Sequence, residues 1–273
     1  MFEGIRRRIR KHRQKHTFSE YGFEVKTFCL REYGRVQYAQ WLHPAETKKD
    51  ITDEMIASLR TFILEGDTVI DIGAHTGDTT VPMAVVAGRS GCAFAIEPNP
   101  YVFQVLAANA KLNPTLTNIV PLNFAATETD GSFTFHYSDA SYCNGGYLSH
   151  TRRGMQGHRY PLEVEGRNLE AFLRREHAER LGRLSYVKID AEGYDKDIIE
   201  SLMGVLQQYR PVLVTEVFKR LVREEREGLF DVLDRAGYKH FRLASGANPQ
   251  GEEVRRTDMT KWDRFDILAL PRR

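Results

Sequence analysis

The chain has 273 residues, 41% of them hydrophobic and 28% charged, with a formal net charge of +2 at pH 7. These values are those of an ordinary globular protein that buries a substantial core. Three cysteines without a CxxC pair argue against a disulfide framework or a cysteine-built zinc site and favour a reducing compartment. No apolar run approaches the roughly 20 residues that cross a bilayer, and no apolar segment makes the basic N-terminus a secretory signal. We therefore predict a cytoplasmic protein.

The first feature along the chain is a basic arm. Residues 5–16, IRRRIRKHRQKH, contain seven Lys or Arg residues and no acid. Of the 39 basic and 37 acidic residues of the chain, 32 and 36 remain once residues 1–16 are set aside. Such an arm suits an anionic surface such as phospholipid or nucleic acid, or it is a solvated terminal helix without a partner. Both interpretations stay open at this point.

The segments after the arm predict a short extension and then an α/β body. FEVKTFCL (residues 23–30) and RVQYAQWL (35–42) are typical of two strands, and residues 50–63 carry apolar side chains at helical spacing. From there strands and helices alternate, which indicates a parallel sheet with helices on both faces. The strands are predicted at 69–72, 92–98, 118–126, 185–190 and 211–217, and the helices at 78–88, 101–113, 168–181, 195–209 and 223–237. The last two strands, 238–244 and 264–271, are predicted to form an antiparallel pair.

The alternation is interrupted between residues 127 and 168. SFTFHYS (132–138) and PLEVEGRN (161–168) predict two strands, and the Gly- and Ser-rich segment between them predicts a long loop. Long irregular loops in compact domains are usually functional or mobile. We therefore predict a hairpin with a mobile acceptor loop inserted after the third strand. The domain division is 1–49, a basic arm with a short strand extension, and 50–273, the α/β domain.

The stretch VIDIGAHTGDTT, residues 69–80, is the strongest functional signal. A glycine-rich turn between strand and helix lets a ligand approach bare backbone N–H groups. The lysine of a Walker loop is missing, and so is the middle glycine of a dinucleotide fingerprint. A G-x-x-x-G turn preceded by Asp71 is instead the pattern of S-adenosylmethionine-dependent methyltransferases. Glu97, at the tip of the next strand, lies where the ribose hydroxyls of a nucleoside would be received. Two alternatives remain: the glycines of the turn have only a structural role, or Glu97 is a capping or solvated residue.

At this point the chain resembles the FkbM-type methyltransferases, through VIDIGAHTGDTT, AIEPNP, LNFAATETDG and YVKIDAEGYDKDIIESL. The resemblance covers about residues 66–218. It implies a class I (Rossmann-like) fold with a mostly parallel seven-stranded sheet, helices on both faces and an antiparallel C-terminal strand. It also implies S-adenosylmethionine as cofactor and O-methylation of a hydroxyl. The predicted cofactor contacts are Asp71, Gly73, Ala74, His75, Gly77, Thr79, Glu97, Asn99, Asn123 and Ala125.

The residues predicted to act on the acceptor follow the fourth strand. The sulfonium methyl is already activated, so the enzyme aligns the acceptor oxygen and excludes water. An alcohol also benefits from a base, and Asp190 is predicted in that role, with Glu192 positioning the acceptor or the cofactor. The structural alternative is that Asp190 only caps the next helix and contacts the cofactor. No metal is assigned, although the oxygen ligands Asp190, Glu192 and Glu216 leave a divalent ion open.

The predicted function is therefore methyl transfer to a hydroxyl of a small molecule or glycan, with a sugar as the first choice. Two alternatives remain: a nucleic-acid ribose methyltransferase that uses the basic arm, and a non-catalytic S-adenosylmethionine-binding domain. DAEGYD stands where base-amine methyltransferases carry a D/N-P-P-aromatic loop, which argues against that reaction. The partners expected are a hydroxylated or carbohydrate acceptor and an anionic surface at residues 5–16, with a homodimer left open.

Overall fold

The computed structural model describes residues 16–143, 145–148, 159–245 and 249–272. Its strands are β1 (Phe23–Leu30), β2 (Gly34–Trp41), β3 (Thr68–Ile72), β4 (Cys92–Ile96), β5 (Ile119–Leu122), β6 (Ala125–Thr127), β7 (Gly131–Tyr137), β8 (Gly145–Leu148), β9 (Tyr160–Asn168), β10 (Leu184–Ile189), β11 (Val212–Val217), β12 (Tyr238–Leu243), β13 (Gln250–Glu253) and β14 (Phe265–Pro271). Its helices are α1 (Asp53–Leu59), α2 (Thr80–Ala87), α3 (Pro100–Leu112), α4 (Leu169–Glu176), α5 (Ala178–Leu181), α6 (Asp195–Ser201), α7 (Met203–Tyr209) and α8 (Arg223–Arg235).

The main sheet has the strand order β13-β12-β14-β11-β10-β3-β4-β5. The five strands from β5 to β11 are parallel, and β14 runs antiparallel to both β11 and β12. This arrangement confirms the predicted α/β class, including the antiparallel pairing of the last two predicted strands. The sheet has one strand more than the seven predicted, because the short segment β13 adds to the edge of β12.

Helices cover both faces of this sheet because its central strands are apolar on both sides. Ile70, Phe94 and Val187 face the cluster that includes α4 and α6 to α8. Val69 and Ala93 face the opposite cluster with α1 and α2. All of β3 and β4 is buried, so their carboxyl ends are held rigidly where the loops of the site begin.

Three predicted elements are divided in the structure. The third strand, predicted over 118–126, ends at Leu122, and β6 then joins a separate sheet of order β6-β9-β7-β8. The break occurs where the Asn123 side chain donates to the carbonyl oxygens of Glu97 and Pro98. The predicted helices 168–181 and 195–209 are interrupted at His177 (φ −142°) and Leu202 (φ −100°), where the backbone leaves the helical region.

The hairpin of β1 and β2 is joined to α3 through two asparagine side chains. Asn109 accepts from Ala39 N (2.6 Å) and donates to Ala39 O (3.1 Å), and Asn113 makes the same pair of bonds with Gln37 (2.8 Å each). Four residues of helix rise about 6 Å and two residues of strand about 6.6 Å, so the spacings match. Asn109 also donates to Thr76 O (2.7 Å), which belongs to the turn between β3 and α2.

The predicted division at residue 49 stays a prediction, and residues 1–15 of the basic arm lie outside the described part. Position 144 and residues 149–158 of the predicted acceptor loop lie outside it as well. Among the helices that the structure describes, none combines the length and the apolar character needed to cross a membrane.

Candidate active site

The turn after β3 holds its shape through one buried carboxylate. Asp71 is 0% exposed, and its Oδ2 accepts bonds from the hydroxyls of Thr79 (2.7 Å) and Thr80 (2.6 Å). Its Oδ1 has no hydrogen-bond donor among the described residues and lies 3.6 Å from Lys188 Nζ. The two threonines thus fasten the N-terminus of α2 to the end of β3 while one carboxylate oxygen keeps acceptor capacity.

Gly73 is the point of closest approach in this turn. Its φ is +76°, and a Cβ at this position would lie 1.9 Å from the carbonyl oxygen of Asp190. The contact arises because Asp190 N donates to Ile72 O (2.9 Å), which places the two strand ends side by side. Only glycine fits here, as the G-x-x-x-G pattern predicts.

Glu97 organises the second strand end. Its carboxylate accepts from His75 N (2.9 Å) and from Asn99 N (2.8 Å). Burial, opposed by His75 and by these backbone bonds, raises the pKa of Glu97 above its ordinary value. Each carboxylate oxygen keeps a further acceptor site, which is what a pair of neighbouring ribose hydroxyls requires. The capping and the ligand-binding interpretations of this glutamate are therefore compatible.

Lys188 lies between the turn after β3 (residues 73–79), which we call the cofactor turn, and Asp190, the predicted base. Its ammonium group lies 3.6 Å from Asp71 Oδ1 and 3.4 Å from Asp190 Oδ2. Burial opposes the charged form, but the carboxylates of Asp190 and Asp71 hold the pKa of Lys188 well above its ordinary value. The lysine therefore stays charged and balances the two acids.

Two cavities meet at these residues. A polar cavity of about 310 Å³ is lined by Ala45, Glu46, Thr47, Lys49, Gly73, His75, Asp78, Thr79, Glu97, Asn99, Val102, Tyr137, Cys143, Lys188, Asp190, Glu192 and Arg264. A narrower, more apolar cavity of about 90 Å³ is lined by Ile72, Gly73, Ile96, Glu97, Pro98, Ala125, Ala126, Phe135, Tyr137, Gly146, Asp190, Ala191, Glu192, Tyr194 and Ile198. Five residues are common to both linings, and they are Gly73, Glu97, Tyr137, Asp190 and Glu192.

Most predicted site residues line one of these cavities. Those on the cavity walls are Gly73, His75, Thr79, Glu97, Asn99, Ala125, Asp190 and Glu192. The other four predicted contacts, Asp71, Ala74, Gly77 and Asn123, do not line either cavity. Ala74 N donates to Ile96 O (3.0 Å), and Gly77 has a φ of +94° beside Leu106. Asn99 also caps α3 by accepting from Tyr101 N (3.0 Å).

The N-terminal extension supplies a wall that the sequence analysis did not anticipate. Lys49 Nζ lies 2.9 Å from Asp78 Oδ2 and 3.3 Å from Glu46 Oε1, and Glu46 Oε2 lies 3.8 Å from His75 Nε2. Glu46 and Lys49 follow β2 in a segment without hydrophobic periodicity, so no sequence signal pointed to them. Lys188 did carry a signal, because it is a lysine inside an apolar strand and two residues before Asp190.

Asp195, a buried carboxyl behind the Asp190 loop, lies where the neutral form of the group is favoured. Asp195 is 1% exposed, accepts from Thr215 Oγ1 (2.9 Å) and from Gly193 N (3.2 Å), and so ties that loop to β11. Burial, reinforced by the charge of Asp190, raises the pKa of Asp195 from 3.8 to about 7.

This shift predicts how stability depends on pH. The folded protein holds the Asp195 proton more tightly than the unfolded chain does, so the stabilisation is complete below about pH 4 and is lost as the pH rises through 7. Between about pH 4 and pH 7, we expect Asp195 to lower the free energy of unfolding by roughly 1.4 kcal/mol per pH unit. Asp195→Asn should flatten the profile, which urea unfolding across the pH series measures. An equally steep fall in the variant would contradict the assignment.

Within the described residues, no group of three or more His, Cys, Asp or Glu side chains is arranged to hold a metal ion. The carboxylates at the carboxyl ends of β10 and β11 form ion pairs instead. Glu216 pairs with Arg264 and Asp190 with Lys188.

Comparisons with known proteins identify the family of the chain. The family model of the methyltransferase FkbM domain matches residues 71–240, more than half of the chain. The hexuronic acid methyltransferase AglP of Haloferax volcanii is 24% identical over 150 residues, which are 55% of this chain and 56% of that protein. A probable cobalt-precorrin-6B C(15)-methyltransferase of Saccharolobus solfataricus is 35% identical over 74 residues, 27% of this chain and 36% of that one. The chain thus covers about half or less of the length of these curated relatives.

A solved FkbM methyltransferase from Methylobacillus flagellatus has a TM-score of 0.46 and 14% identity, covering 76% of this chain and 44% of that one. The match of the family model begins at Asp71 and includes the cofactor turn, Glu97 and the Asp190 loop. It confirms the predicted family, and with it the predicted cofactor, S-adenosylmethionine. The chain belongs to the FkbM methyltransferase family.

Proposed function

We propose that the protein transfers the methyl group of S-adenosylmethionine to a hydroxyl of a small molecule or glycan, with a sugar as the acceptor. The observation that carries this proposal is the junction of the two cavities. Asp190 and Glu192 belong to both linings, so a group held in the narrow cavity and a molecule in the polar cavity would meet beside these carboxylates.

The residues of the narrow cavity and the turn suit the cofactor. Glu97 would receive the ribose hydroxyls, and the apolar wall at Ala125 would receive the adenine. Asp71, whose charge Lys188 balances, would act by fastening the turn to α2, while Gly73 leaves the backbone bare. The remaining predicted contacts, Ala74, Gly77 and Asn123, would act by shaping the turn and the end of β4. S-adenosylmethionine, when bound, supplies an activated methyl group on its sulfonium.

The polar cavity suits a hydroxyl-rich acceptor. Carboxylates, an amide and ammonium groups all line its wall, so neighbouring hydroxyls find both acceptors and donors of hydrogen bonds. The similarity to AglP, a hexuronic acid methyltransferase, supports a sugar as the acceptor. Glu46 and Lys49 from the N-terminal extension would contact the part of the acceptor that lies farthest from the narrow cavity.

The proton of the acceptor hydroxyl would pass to Asp190. Asp190 lines both cavities, and the ammonium of Lys188, 3.4 Å from Asp190 Oδ2, balances its charge. Glu192, at a φ of +51° on the same loop, would orient the acceptor oxygen. The sequential roles are binding and alignment by the walls, then proton removal by Asp190 as the new C–O bond forms.

Asp190→Asn tests this assignment because it keeps the shape and removes the base. We expect kcat to fall by roughly a hundredfold to ten-thousandfold, the range typical of a general base, while the affinity for S-adenosylhomocysteine changes little. The measurement is mass-spectrometric detection of methylated products from a panel of glycosides, with calorimetric titration of the cofactor product. Asp197→Asn, on α6 and outside both cavity linings, is the matched control. Undiminished turnover in Asp190→Asn would remove the base assignment, and absent cofactor binding in the unmodified protein would remove the proposed function.

A further inference from the structure

Exposed apolar side chains are concentrated in one part of the molecule. Five large hydrophobic side chains are exposed among the described residues, and four of them lie between residues 18 and 42. They are Phe18 (46% exposed), Phe23 (43%), Val25 (46%) and Leu42 (51%), and we call the first three the N-terminal surface. The fifth, Leu64, follows α1 and lies elsewhere in the chain. Single exposed apolar residues are ordinary, but such clustering marks an interaction site.

The hairpin geometry explains why these side chains stay outside the core. Phe23 and Val25 alternate along β1, and their cross-strand partners are Trp41 and Ala39 on the same face of the hairpin. Those partners are buried with Val102 and Val105 of α3. Helix α3 thus covers this face over β2, while the neighbouring strand β1 projects beyond it. The apolar side chains of β1 therefore remain in solvent.

Phe18 extends the same surface toward the start of α3. Its ring lies 5.2 Å from that of Tyr101 and 6.1 Å from that of Tyr142, centroid to centroid. The rings of Tyr101 and Tyr142 are themselves stacked at 5.3 Å and 4°. This packing holds Phe18 in place although nearly half of it is exposed.

The charge of the adjoining segment is opposite to that of a biological membrane. Residues 5–16, which precede Phe18 in the sequence, carry seven Lys or Arg residues and no acid. Each basic side chain near an anionic leaflet strengthens binding, and exposed apolar side chains add the energy of burial in the interface. A basic segment that precedes an apolar surface in the sequence combines the electrostatic attraction with the burial of apolar side chains.

We propose that residues 5–16 and the N-terminal surface dock the protein on an anionic phospholipid bilayer. A nucleic acid would match the basic arm, but its phosphates gain nothing from Phe23 or Val25. The rest of the chain, with 32 basic and 36 acidic residues, offers a duplex no general positive field. The bilayer is the partner that uses both the charge and the apolar side chains.

The docked orientation would bring the polar cavity close to the lipid. Val102 and Cys143 pack in the same small cluster as Trp41, and both also line that cavity. This step rests on the proposed function, whereas the docking itself does not. An acceptor carried on a lipid could then reach the site without leaving the membrane.

Co-sedimentation of the full chain with vesicles tests the proposal. One set of vesicles contains phosphatidylcholine alone, and the other contains phosphatidylcholine mixed with phosphatidylglycerol. We expect binding to the mixed vesicles, at least about tenfold weaker binding to the neutral ones, and weaker binding at high salt. The double substitution Phe23→Ser with Val25→Ser should lower binding to the mixed vesicles by about tenfold. Leu64→Ser is the matched control and should bind as the unmodified protein does.

Each contrary outcome is distinct. Absence of binding to the mixed vesicles overturns the proposal, as does equal loss of binding in the Leu64→Ser control. Binding unaffected by the double substitution, together with equally salt-sensitive binding to a nucleic-acid duplex, assigns the arm to nucleic acid instead. A dimer in vesicle-free sedimentation velocity that the double substitution dissociates would make this surface a contact between copies. Unchanged S-adenosylhomocysteine affinity of each variant verifies that its fold is intact, whichever outcome is found.

Discussion

A single methyl group added at position 73 will remove the cofactor site. In Gly73→Ala the new Cβ would lie 1.9 Å from Asp190 O, and the φ of +76° disfavours any side chain there. The carbonyl cannot retreat easily, because Asp190 N is bonded to Ile72 O at 2.9 Å. The strand ends must separate, which we expect to lower the free energy of unfolding by about 3 kcal/mol or more. Both cavities share this residue, so binding of S-adenosylhomocysteine should become undetectable.

Calorimetric titration and urea unfolding measure the two effects of Gly73→Ala. Gly182→Ala is the matched control, because that residue has a φ of −62° and no atom within 4 Å of the added Cβ. We expect the control to bind the cofactor product normally and to be as stable as the unmodified protein or slightly more so. Normal binding in Gly73→Ala would show that the turn tolerates displacement and that the site is not where we place it.

Glu97→Ala will weaken cofactor binding more than any other side-chain truncation in the site. The substitution removes the buried carboxylate that we propose as the acceptor for two ribose hydroxyls, and it leaves the N–H groups of His75 and Asn99 without their carboxylate partner. Hydrogen bonds to charged groups contribute about 1.5–3 kcal/mol each, so losing two predicts a fall in affinity of at least about a hundredfold. The turn should also lose order, since His75 N is held by this carboxylate.

Calorimetric titration tests Glu97→Ala by comparing its affinities for S-adenosylmethionine, S-adenosylhomocysteine and adenosine with those of the unmodified protein. A role at the ribose predicts that adenosine loses affinity by nearly the same factor as the complete molecules. Glu179→Ala, an exposed glutamate on α5, serves as the control and should change nothing. If adenosine bound the variant normally, Glu97 would act only through the turn and not on the ribose.

Predictions from the sequence succeeded where one local rule determines the structure. β1 and the central strands were predictable from β-branched and aromatic residues between turn signals, and the parallel order from their alternation with helices. The interruptions at Leu122, His177 and Leu202 were not predictable, because the residues around them continue the hydrophobic pattern of the strand or helix on either side. At Leu122 a tertiary contact decides, because the Asn123 side chain donates to the carbonyl oxygen of Glu97 in place of a ladder bond.

The cavity wall formed by the turn after β3 and by Glu97 was predictable from the sequence, and the wall formed by Glu46 and Lys49 was not. Turn glycines and strand-end acids such as Asp71 and Glu97 occupy positions that the βαβ topology requires, so spacing alone identifies them. Glu46 and Lys49 reach the cavity only because the hairpin of β1 and β2 docks on α3. That docking depends on contacts some 70 residues apart in sequence, for example Ala39 with Asn109 (|i−j| = 70), and no local pattern reveals them.

The asparagine bonds between β2 and α3 also have a consequence for biosynthesis. A ribosome completes the hairpin long before it makes Asn109 and Asn113, so the nascent β2 presents an open edge to the surroundings during that interval. When α3 forms, the same two side chains close that edge, and Asn109 reaches the Thr76 carbonyl of the turn. The hairpin is thus secured only when α3 forms, although it is synthesised before α3. The turn after β3, which Asn109 also bonds, cannot be completed before that point.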